Sequence, residues 1–139
     1  MIKAVILDDE NNCVETLEWK LEHFCPDVEI VKTFVDPVEG LKYLRNNPPD
    51  LLFLDIEMPN LSGFDVLEAL GDISFDVIFT TAYDSYGIMA VKFSALDYLL
   101  KPVRNKELAE AVGRYTKKTG REHQAPSRKL PPVQRLTPT

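Results

Sequence analysis

Short apolar runs alternate with longer amphipathic segments along this chain, and no other feature of the sequence limits its fold as strongly. The apolar runs have the length of strands, and the segments between them have helical periodicity, so the pattern predicts repeated βα units around a parallel sheet. Four of the runs are nearly continuous in apolar character, as strands covered on both faces should be. The predicted strands are residues 3–7, 28–34, 51–55, 76–81 and 96–100.

The amphipathic segments predict helices that cover the sheet. Asp36 precedes Pro37 at the start of the second, which favours an aspartate cap followed by proline in the first turn. Glycines bound the third at positions 63 and 71, and a fourth is expected over residues 84–94 with Asp84 as its cap. The stripes expected to face the core in the first and last helices are Val14, Leu17, Leu21 and Phe24, and Leu108, Ala111, Val112 and Tyr115.

Length and charge predict one acidic domain with a basic end. The 139 residues suffice to bury the core of a single domain, and no apolar run reaches the ~18 residues of a membrane helix. A cytoplasmic protein without membrane contact is therefore expected. The net charge is −6, yet residues 116–139 hold six lysines and arginines, one acid and four prolines. We predict a domain over residues 1–117, too acidic to favour nucleic acid, and a flexible basic, proline-rich linker or tail over 118–139.

The cysteines do not predict a disulfide or a metal site. A continuous helix would separate Cys13 from Cys25 by ~18 Å, which is beyond disulfide reach. No cysteine or histidine spacing typical of zinc accompanies them. They are interpreted as packing or surface thiols.

Acidic residues stand at the carboxyl ends of two predicted strands. Asp8, Asp9 and Glu10 follow the first strand, and Asp55 ends the third. Ligands of open α/β sheets bind beyond this edge, so several carboxylates would surround one point. A hard cation such as Mg²⁺ would offset their repulsion and is often bound together with a phosphate. The alternative for Asp8 or Asp9 is to cap the first helix.

Asp55 is the candidate nucleophile toward phosphorus, because a strand-end carboxylate can form an aspartyl phosphate. A metal beside it would neutralise the carboxylate and the incoming phosphoryl group. Lys101 would add a positive charge and Thr81 a hydroxyl donor. Alone, Thr81 could be an ordinary strand former and Lys101 part of a helix-entry turn. The joint pattern, more than any one residue, carries the prediction.

Four motifs, in this order, resemble those of the receiver domain of two-component response regulators. They are Asp8-Asp9, Asp55-x-x-Met58-Pro59-x-x-x-Gly63, Thr81-Ala82 and Tyr98-x-x-Lys101-Pro102. The resemblance covers residue 1 to about residue 115. It implies a flavodoxin-like, doubly wound (βα)₅ fold with a five-stranded parallel sheet in the order 2-1-3-4-5.

The resemblance also implies how the acidic residues act. Asp55 would accept a phosphoryl group from a phosphohistidine of a sensor histidine kinase. Asp9, Asp55 and the backbone carbonyl of Glu57 would bind Mg²⁺ or Mn²⁺, and Asp8 would act through water. The protein would catalyse its own phosphorylation and dephosphorylation and would not be an enzyme in any wider sense.

A switch is implied by the remaining motif residues. Lys101 and Thr81 would contact the phosphoryl oxygens, and the Lys101–Pro102 peptide bond would be cis. Movement of Thr81 would let Tyr98 turn from an exposed to a buried position. The face formed by helix 4, strand 5 and helix 5 would change as a result, and it could also form a homodimer.

Two further expectations concern phosphate lifetime and output. Glu57 and Tyr83, each two residues past a site residue, would flank the route of the hydrolytic water, and a bulky Tyr83 would slow dephosphorylation. The sequences of the motifs are most similar to those of receivers joined to LytTR-type or related DNA-binding domains. Contact with DNA, and so control of transcription, would then require an output domain that this sequence does not contain.

Other interpretations fit less well. A phosphatase of the haloacid-dehalogenase type needs D-x-D after the first strand, but Asp8 is followed at that spacing by Glu10 and Asp9 by Asn11. A flavodoxin-like cofactor module needs a loop rich in Ser, Thr and Gly there, whereas this loop is DDENN. A receiver-like scaffold without phosphorylation would not need the full set of acidic, lysine and threonine residues.

Overall fold

A computed structural model describes residues 1–120 of the chain. Strands and helices alternate as predicted, and neighbouring strands pair in parallel. The elements are β1 (Ile2–Leu7), α1 (Asn11–Phe24), β2 (Val28–Phe34), α2 (Pro37–Asn46), β3 (Leu51–Asp55), α3 (Gly63–Leu70), β4 (Asp76–Thr81), α4 (Gly87–Lys92), β5 (Asp97–Leu100) and α5 (Asn105–Thr119).

The five strands lie in the order β2-β1-β3-β4-β5, which confirms the predicted doubly wound (βα)₅ fold. The order places β1 beside β3, with Leu7 opposite Leu54. The next residues along these two strands are Asp8 and Asp55, so the register brings both carboxylates to the same edge of the sheet. This pairing creates the acidic group that the sequence predicts.

The sheet separates two apolar layers. Alternate side chains of β1 and β3 point to opposite faces, as strand geometry requires. Ile6 and Phe53 belong to the layer under α1 and α5, whereas Leu7 and Leu54 belong to the layer under α2, α3 and α4. Every residue of β3 is buried, which accounts for its continuous apolar sequence up to Asp55.

One residue of the α1 stripe does not face the core. Val14, Leu17 and Leu21 are buried, but Phe24 is 44% exposed. Phe24 is the last residue of the helix, and the chain leaves the helical path after it. The side chain of Cys25 takes the core position instead, at 6% exposure. The predicted stripe of α5 is buried throughout.

The fourth helix is shorter than predicted. Residues 84–86 form a 3₁₀ turn, and α4 itself has only six residues. Asp84 is not a cap: it lies inside the 3₁₀ turn, and Tyr83 precedes that turn without a capping side-chain hydrogen bond. Ser94, the predicted last residue, has a φ of 59° and lies outside the helix. Ala90 is the single buried residue of α4, so little core contact supports a longer helix.

The loop between β3 and α3 is held tightly against the end of β3. Ser62 and Asp65 form a capping box at the start of α3, a signal that the glycine-bounded prediction did not use. The Gly63 amide donates to the Ile56 carbonyl at 2.8 Å. A Cβ at Gly63 would lie 2.5 Å from the Asp55 carbonyl oxygen, so only glycine permits this close approach. The loop therefore has a fixed path beside Asp55.

The end of the described chain is helical. α5 continues to Thr119, and Gly120 follows it with a left-handed φ of 73°. The predicted linker or tail therefore lies almost entirely outside the described residues. Within residues 1–120, no helix is long and apolar enough to cross a membrane.

Candidate functional site

Three carboxylates meet at the carboxyl edge of the sheet. Asp8 follows β1, Asp55 is the last residue of the neighbouring β3, and Asp9 is adjacent to Asp8. One carboxylate oxygen from each lies within 4.8 Å of the others. Asp8 and Asp55 are only 4% and 3% exposed, whereas Asp9 is half-buried. The site is therefore mostly buried and reaches solvent on the side of Asp9.

Lys101 places one positive charge in this acidic group. Its Nζ lies 2.9 Å from Asp8 Oδ2 and 3.3 Å from Asp55 Oδ1. The backbone holds the lysine in place, because its amide donates to the Thr81 carbonyl at 2.7 Å. The Lys101–Pro102 peptide bond is cis, as the resemblance implies. One ammonium thus bridges two of the three carboxylates.

One ammonium does not fully compensate the three carboxylates, and the pKa of Asp55 reflects this. Burial and the neighbouring charge of Asp8 raise the pKa of Asp55 to about 8, even though Lys101 acts in the opposite direction. Burial alone would lower the pKa of Lys101, but its hydrogen bond to Asp8 and the two carboxylate charges raise it. Lys101 is therefore always charged near neutral pH, while Asp55 favours any added cation, a proton or a metal ion.

The oxygen donors of the site suit a hard cation. Besides the three carboxylates, the backbone carbonyl of Glu57 is available, because it has no hydrogen-bond partner among residues 1–120. Such a donor set, all oxygen and partly open to water, matches the ligands that Mg²⁺ prefers. Asp8 also accepts the Glu10 amide at 3.0 Å through Oδ1, so it supports the start of α1 as well. Neither Asp8 nor Asp9 is the N-cap, which is Glu10.

Thr81 and Tyr98 are joined through the backbone of the β4–α4 loop. Thr81 is fully buried at the end of β4, and its hydroxyl accepts the Tyr83 amide at 3.1 Å. The Tyr98 hydroxyl donates to the Tyr83 carbonyl at 2.6 Å and accepts the Tyr86 amide at 3.1 Å. Tyr98 is partly buried on the α3 side of the sheet. The loop is thus held between a site residue and the predicted switch residue.

Tyr86 is a site residue that sequence reasoning missed. Its hydroxyl donates a hydrogen bond to the carboxylate of Glu57, which joins the β3–α3 loop to the β4–α4 loop. This hydrogen bond raises the pKa of Tyr86. Tyr83, predicted to lie near the hydrolytic water, is 54% exposed, and its ring meets that of Tyr86 edge-on at 6.4 Å. No local pattern indicates a contact between residues 29 positions apart.

A cleft of about 310 Å³ adjoins the acidic site between α1 and the loop after β5. Its lining includes Asp8, Cys13, Lys20, Lys101 and Pro102. Burial and a hydrogen bond to Glu10 raise the pKa of the Cys13 thiol to about 11. The thiol is therefore protonated near neutral pH, which leaves the carboxylates as the reactive groups of this edge.

Comparison with known proteins identifies the family. The family model described as "Response regulator receiver domain" matches residues 4–113. This chain belongs to the response regulator receiver family. The response regulatory domain of protein mrkE from Klebsiella pneumoniae superposes with a TM-score of 0.77 at 30% identity and covers 88% of this chain and 100% of its own. The REC domain of AraT from Geobacillus stearothermophilus gives a TM-score of 0.76 at 29% identity, covering 88% and 98%.

Curated relatives of this receiver are longer proteins. A response regulatory protein from Vibrio cholerae serotype O1 is 39% identical over 115 residues, which is 82% of this chain and 48% of the relative. The transcriptional regulatory protein BtsR from Escherichia coli K12 gives the same identity and the same coverage. The chain therefore spans about half the length of the curated relatives it matches.

The raised pKa of Asp55 predicts a pH-dependent stability. The folded state holds the Asp55 proton more tightly than the unfolded state, so the stability of the metal-free receiver should fall as pH rises from about 4 toward about 8. Asp55→Asn removes this effect. Its thermal midpoint should exceed that of the parent at pH 8, with a smaller difference at pH 5, and each 1 kcal/mol corresponds to roughly 2–8 °C.

The same thermal measurement with added Mg²⁺ tests the predicted metal site. Binding to the folded state alone should raise the midpoint of the parent at pH 8, and Asp55→Asn should lose most of that increase. Asp72→Asn, which removes an exposed acid elsewhere, is the matched control and should respond like the parent. An equal Mg²⁺ response in Asp55→Asn would contradict the metal site.

Proposed function

We propose that this receiver is a phosphoacceptor, in which Asp55 receives a phosphoryl group from a phosphohistidine of a sensor histidine kinase in a Mg²⁺-dependent reaction. One observation carries the proposal: the buried Asp55 carboxylate lies at the open end of β3, within 4.8 Å of two other carboxylates and 3.3 Å from Lys101. A buried carboxylate beside two others is unfavourable unless cations compensate its charge, as phosphoryl transfer with a bound metal would do.

Each residue of the site has a defined task in the transfer. The bond between phosphorus and the donor nitrogen breaks, and a bond to an Asp55 carboxylate oxygen forms. Asp8, Asp9, Asp55 and the Glu57 carbonyl would hold Mg²⁺ or Mn²⁺, which when bound neutralises charge on the phosphoryl oxygens. Lys101 would turn from the carboxylates to a phosphoryl oxygen. Apart from this transfer and the later hydrolysis of the aspartyl phosphate, which gives inorganic phosphate, we propose no enzymatic activity.

The hydroxyl of Thr81 completes the phosphoryl contacts. Its oxygen accepts the Tyr83 amide, so its hydrogen is free to be donated to a phosphoryl oxygen. A phosphoryl group brings about −1.5 to −2 charges and three acceptor oxygens to Asp55. Attraction of Thr81 toward it would pull on Tyr83, whose carbonyl anchors Tyr98. We propose this sequence of contacts as the switch.

The partner that donates the phosphoryl group is proposed to approach beside α1. The cleft between α1 and the loop after β5 is lined in part by Asp8 and Lys101, and Leu17, Pro102 and Val103 give it an apolar wall. A partner seated there would present its phosphohistidine to Asp55 from the open side of the site. The proposed docking cleft of the kinase and the phosphoacceptor would therefore lie at the same edge of the sheet.

The output is proposed to lie in a part of the protein beyond this chain. BtsR of Escherichia coli is named a transcriptional regulatory protein, and this chain matches about half the length of BtsR. We propose that residues 1–117 form the receiver, that residues 118–139 form the linker, and that an output domain of LytTR or related type contacts DNA. The whole would act in the cytoplasm.

The α4–β5–α5 face is proposed to carry the signal by forming a homodimer. Ile88 and Val91 on α4 are each 75% exposed, and Leu100 at the end of β5 is 39% exposed. These apolar side chains, which we call the α4 patch, are exposed within residues 1–120, Ile88 and Val91 largely so and Leu100 in part. Because Tyr98 lies on β5 next to α4, its movement would reshape this surface.

Phosphorylation is tested directly by mass. Incubation with Mg²⁺ and a small phosphoramidate or acyl phosphate should add one phosphoryl group to the intact chain. Asp55→Asn should remain unlabelled, while Asp72→Asn should label fully. Equal labelling of Asp55→Asn would refute the assigned acceptor.

The switch is tested with Tyr98→Ala. This variant should accept the phosphoryl group but fail to convert it into self-association, because the link from the loop to the α4 patch is lost. Sedimentation of the parent should shift from monomer to dimer on phosphorylation. Val91→Asp should also block the dimer, whereas Val31→Asp, at an exposed position on β2, should not. Normal dimer formation by Tyr98→Ala would remove Tyr98 from the switch.

The role proposed for Tyr83 is tested by acyl-phosphate decay. Tyr83→Ala should shorten the lifetime of the phosphorylated receiver, since less side-chain bulk would then flank the path of the hydrolytic water. An unchanged lifetime would show that Tyr83 does not limit hydrolysis.

A further inference from the structure

Tyr86 connects the two loops that border the open side of Asp55. Its hydroxyl donates to the carboxylate of Glu57, on the β3–α3 loop. Its backbone amide donates to the hydroxyl of Tyr98 at 3.1 Å. One residue therefore contacts both the acid two positions past the phosphoacceptor and the proposed switch tyrosine.

The position of the Tyr86 ring is set by the core. The ring lies 5.9 Å from that of Phe64, a buried residue of α3. Phe64 in turn packs edge-on against Phe79 at 4.9 Å and stacks on Phe93 at 5.1 Å. The Tyr86 hydroxyl is thus presented by a packed aromatic cluster and not by a freely rotating side chain.

Glu57 has no comparable support. Its side chain is exposed, and its carboxylate has no other hydrogen-bond partner among residues 1–120. A glutamate side chain without a partner samples many rotamers. The Tyr86 hydroxyl therefore determines where this carboxylate lies, directed to the β4–α4 loop and bonded there.

Hydrolysis of the acyl phosphate is the step that this arrangement affects. A water oxygen forms a bond to phosphorus, the bond between phosphorus and the Asp55 carboxylate oxygen breaks, and Asp55 keeps the electron pair. The proton lost by the water passes to the phosphate product or to solvent. A carboxylate free to accept a hydrogen bond from that water would orient it for attack.

We propose that Tyr86 is a positioning residue that keeps the Glu57 carboxylate bonded to the β4–α4 loop, away from the attacking water, and so prolongs the phosphorylated state. The amide of the same residue bonds to Tyr98, so the lifetime of the phosphorylated state and the switch depend on one residue. The inference rests on the proposed phosphorylation of Asp55.

The experiment compares decay rates of the phosphorylated full chain after removal of the small-molecule donor. Tyr86→Phe keeps the ring and the backbone amide and removes only the hydroxyl. Its acyl phosphate should decay roughly threefold to tenfold faster than that of the parent, which is less than the 10²–10⁴ of a fully positioned general base. An unchanged thermal midpoint would show that the aromatic packing is retained.

A double variant separates the Glu57 route from a general loosening of the loop. Glu57→Gln keeps the length of the side chain, but its neutral amide oxygen accepts a hydrogen bond from water far more weakly than a carboxylate does. Tyr86→Phe in the Glu57→Gln background should decay no faster than Glu57→Gln alone. The same acceleration in both backgrounds, or unchanged or slower decay in Tyr86→Phe alone, would overturn the inference.

The two levels of the proposal fail differently. If the parent chain takes no phosphoryl group, the proposed function is wrong, and this inference falls with it. If the parent and Tyr86→Phe label equally at Asp55 and then decay at one rate, phosphorylation stands and the role of Tyr86 is refuted.

Discussion

Repulsion among three carboxylates is the interaction on which the rest of this receiver depends. Asp8 and Asp55 are almost fully buried side by side, and a single ammonium lies between them. Such an arrangement is unfavourable in a metal-free protein, because charges removed from water need full compensation. The raised pKa of Asp55 expresses that deficit. Binding of a cation, whether a proton or a metal ion, relieves that deficit.

The fold holds these charges together through backbone contacts. Parallel pairing of β1 with β3 fixes the two aspartates in register, and a hydrogen bond from the Lys101 backbone amide to the Thr81 carbonyl fixes the lysine beside the end of β4. Gly63 lets the next loop pass against the Asp55 carbonyl. The backbones that carry these carboxylates therefore cannot separate without breaking the pairing of the central strands. The stability of the paired strands thus offsets the repulsion among the carboxylates.

Much of this could be predicted from sequence, for physical reasons that also explain the failures. The strands were predictable because burial on both faces demands continuous apolar runs, and Asp55 was conspicuous because it ends one. The fourth helix was mispredicted because only Ala90 anchors it, so capping signals at Asp84 had little packing to support them. The contact between Tyr86 and Glu57 depends on how two loops approach in space, and no residue spacing encodes that.

The weak anchoring of α4 has a consequence for how the receiver could be altered. Its six residues contribute one buried side chain, whereas α1 contributes three and α5 five. An element held by so few contacts is readily displaced by small forces, which is what a responsive surface requires. A redesigned α4 with a longer apolar stripe and a true cap would give a more thermostable molecule. If α4 carries the signal as proposed, the redesigned receiver would also respond less to phosphorylation, because more free energy would be needed to displace the helix.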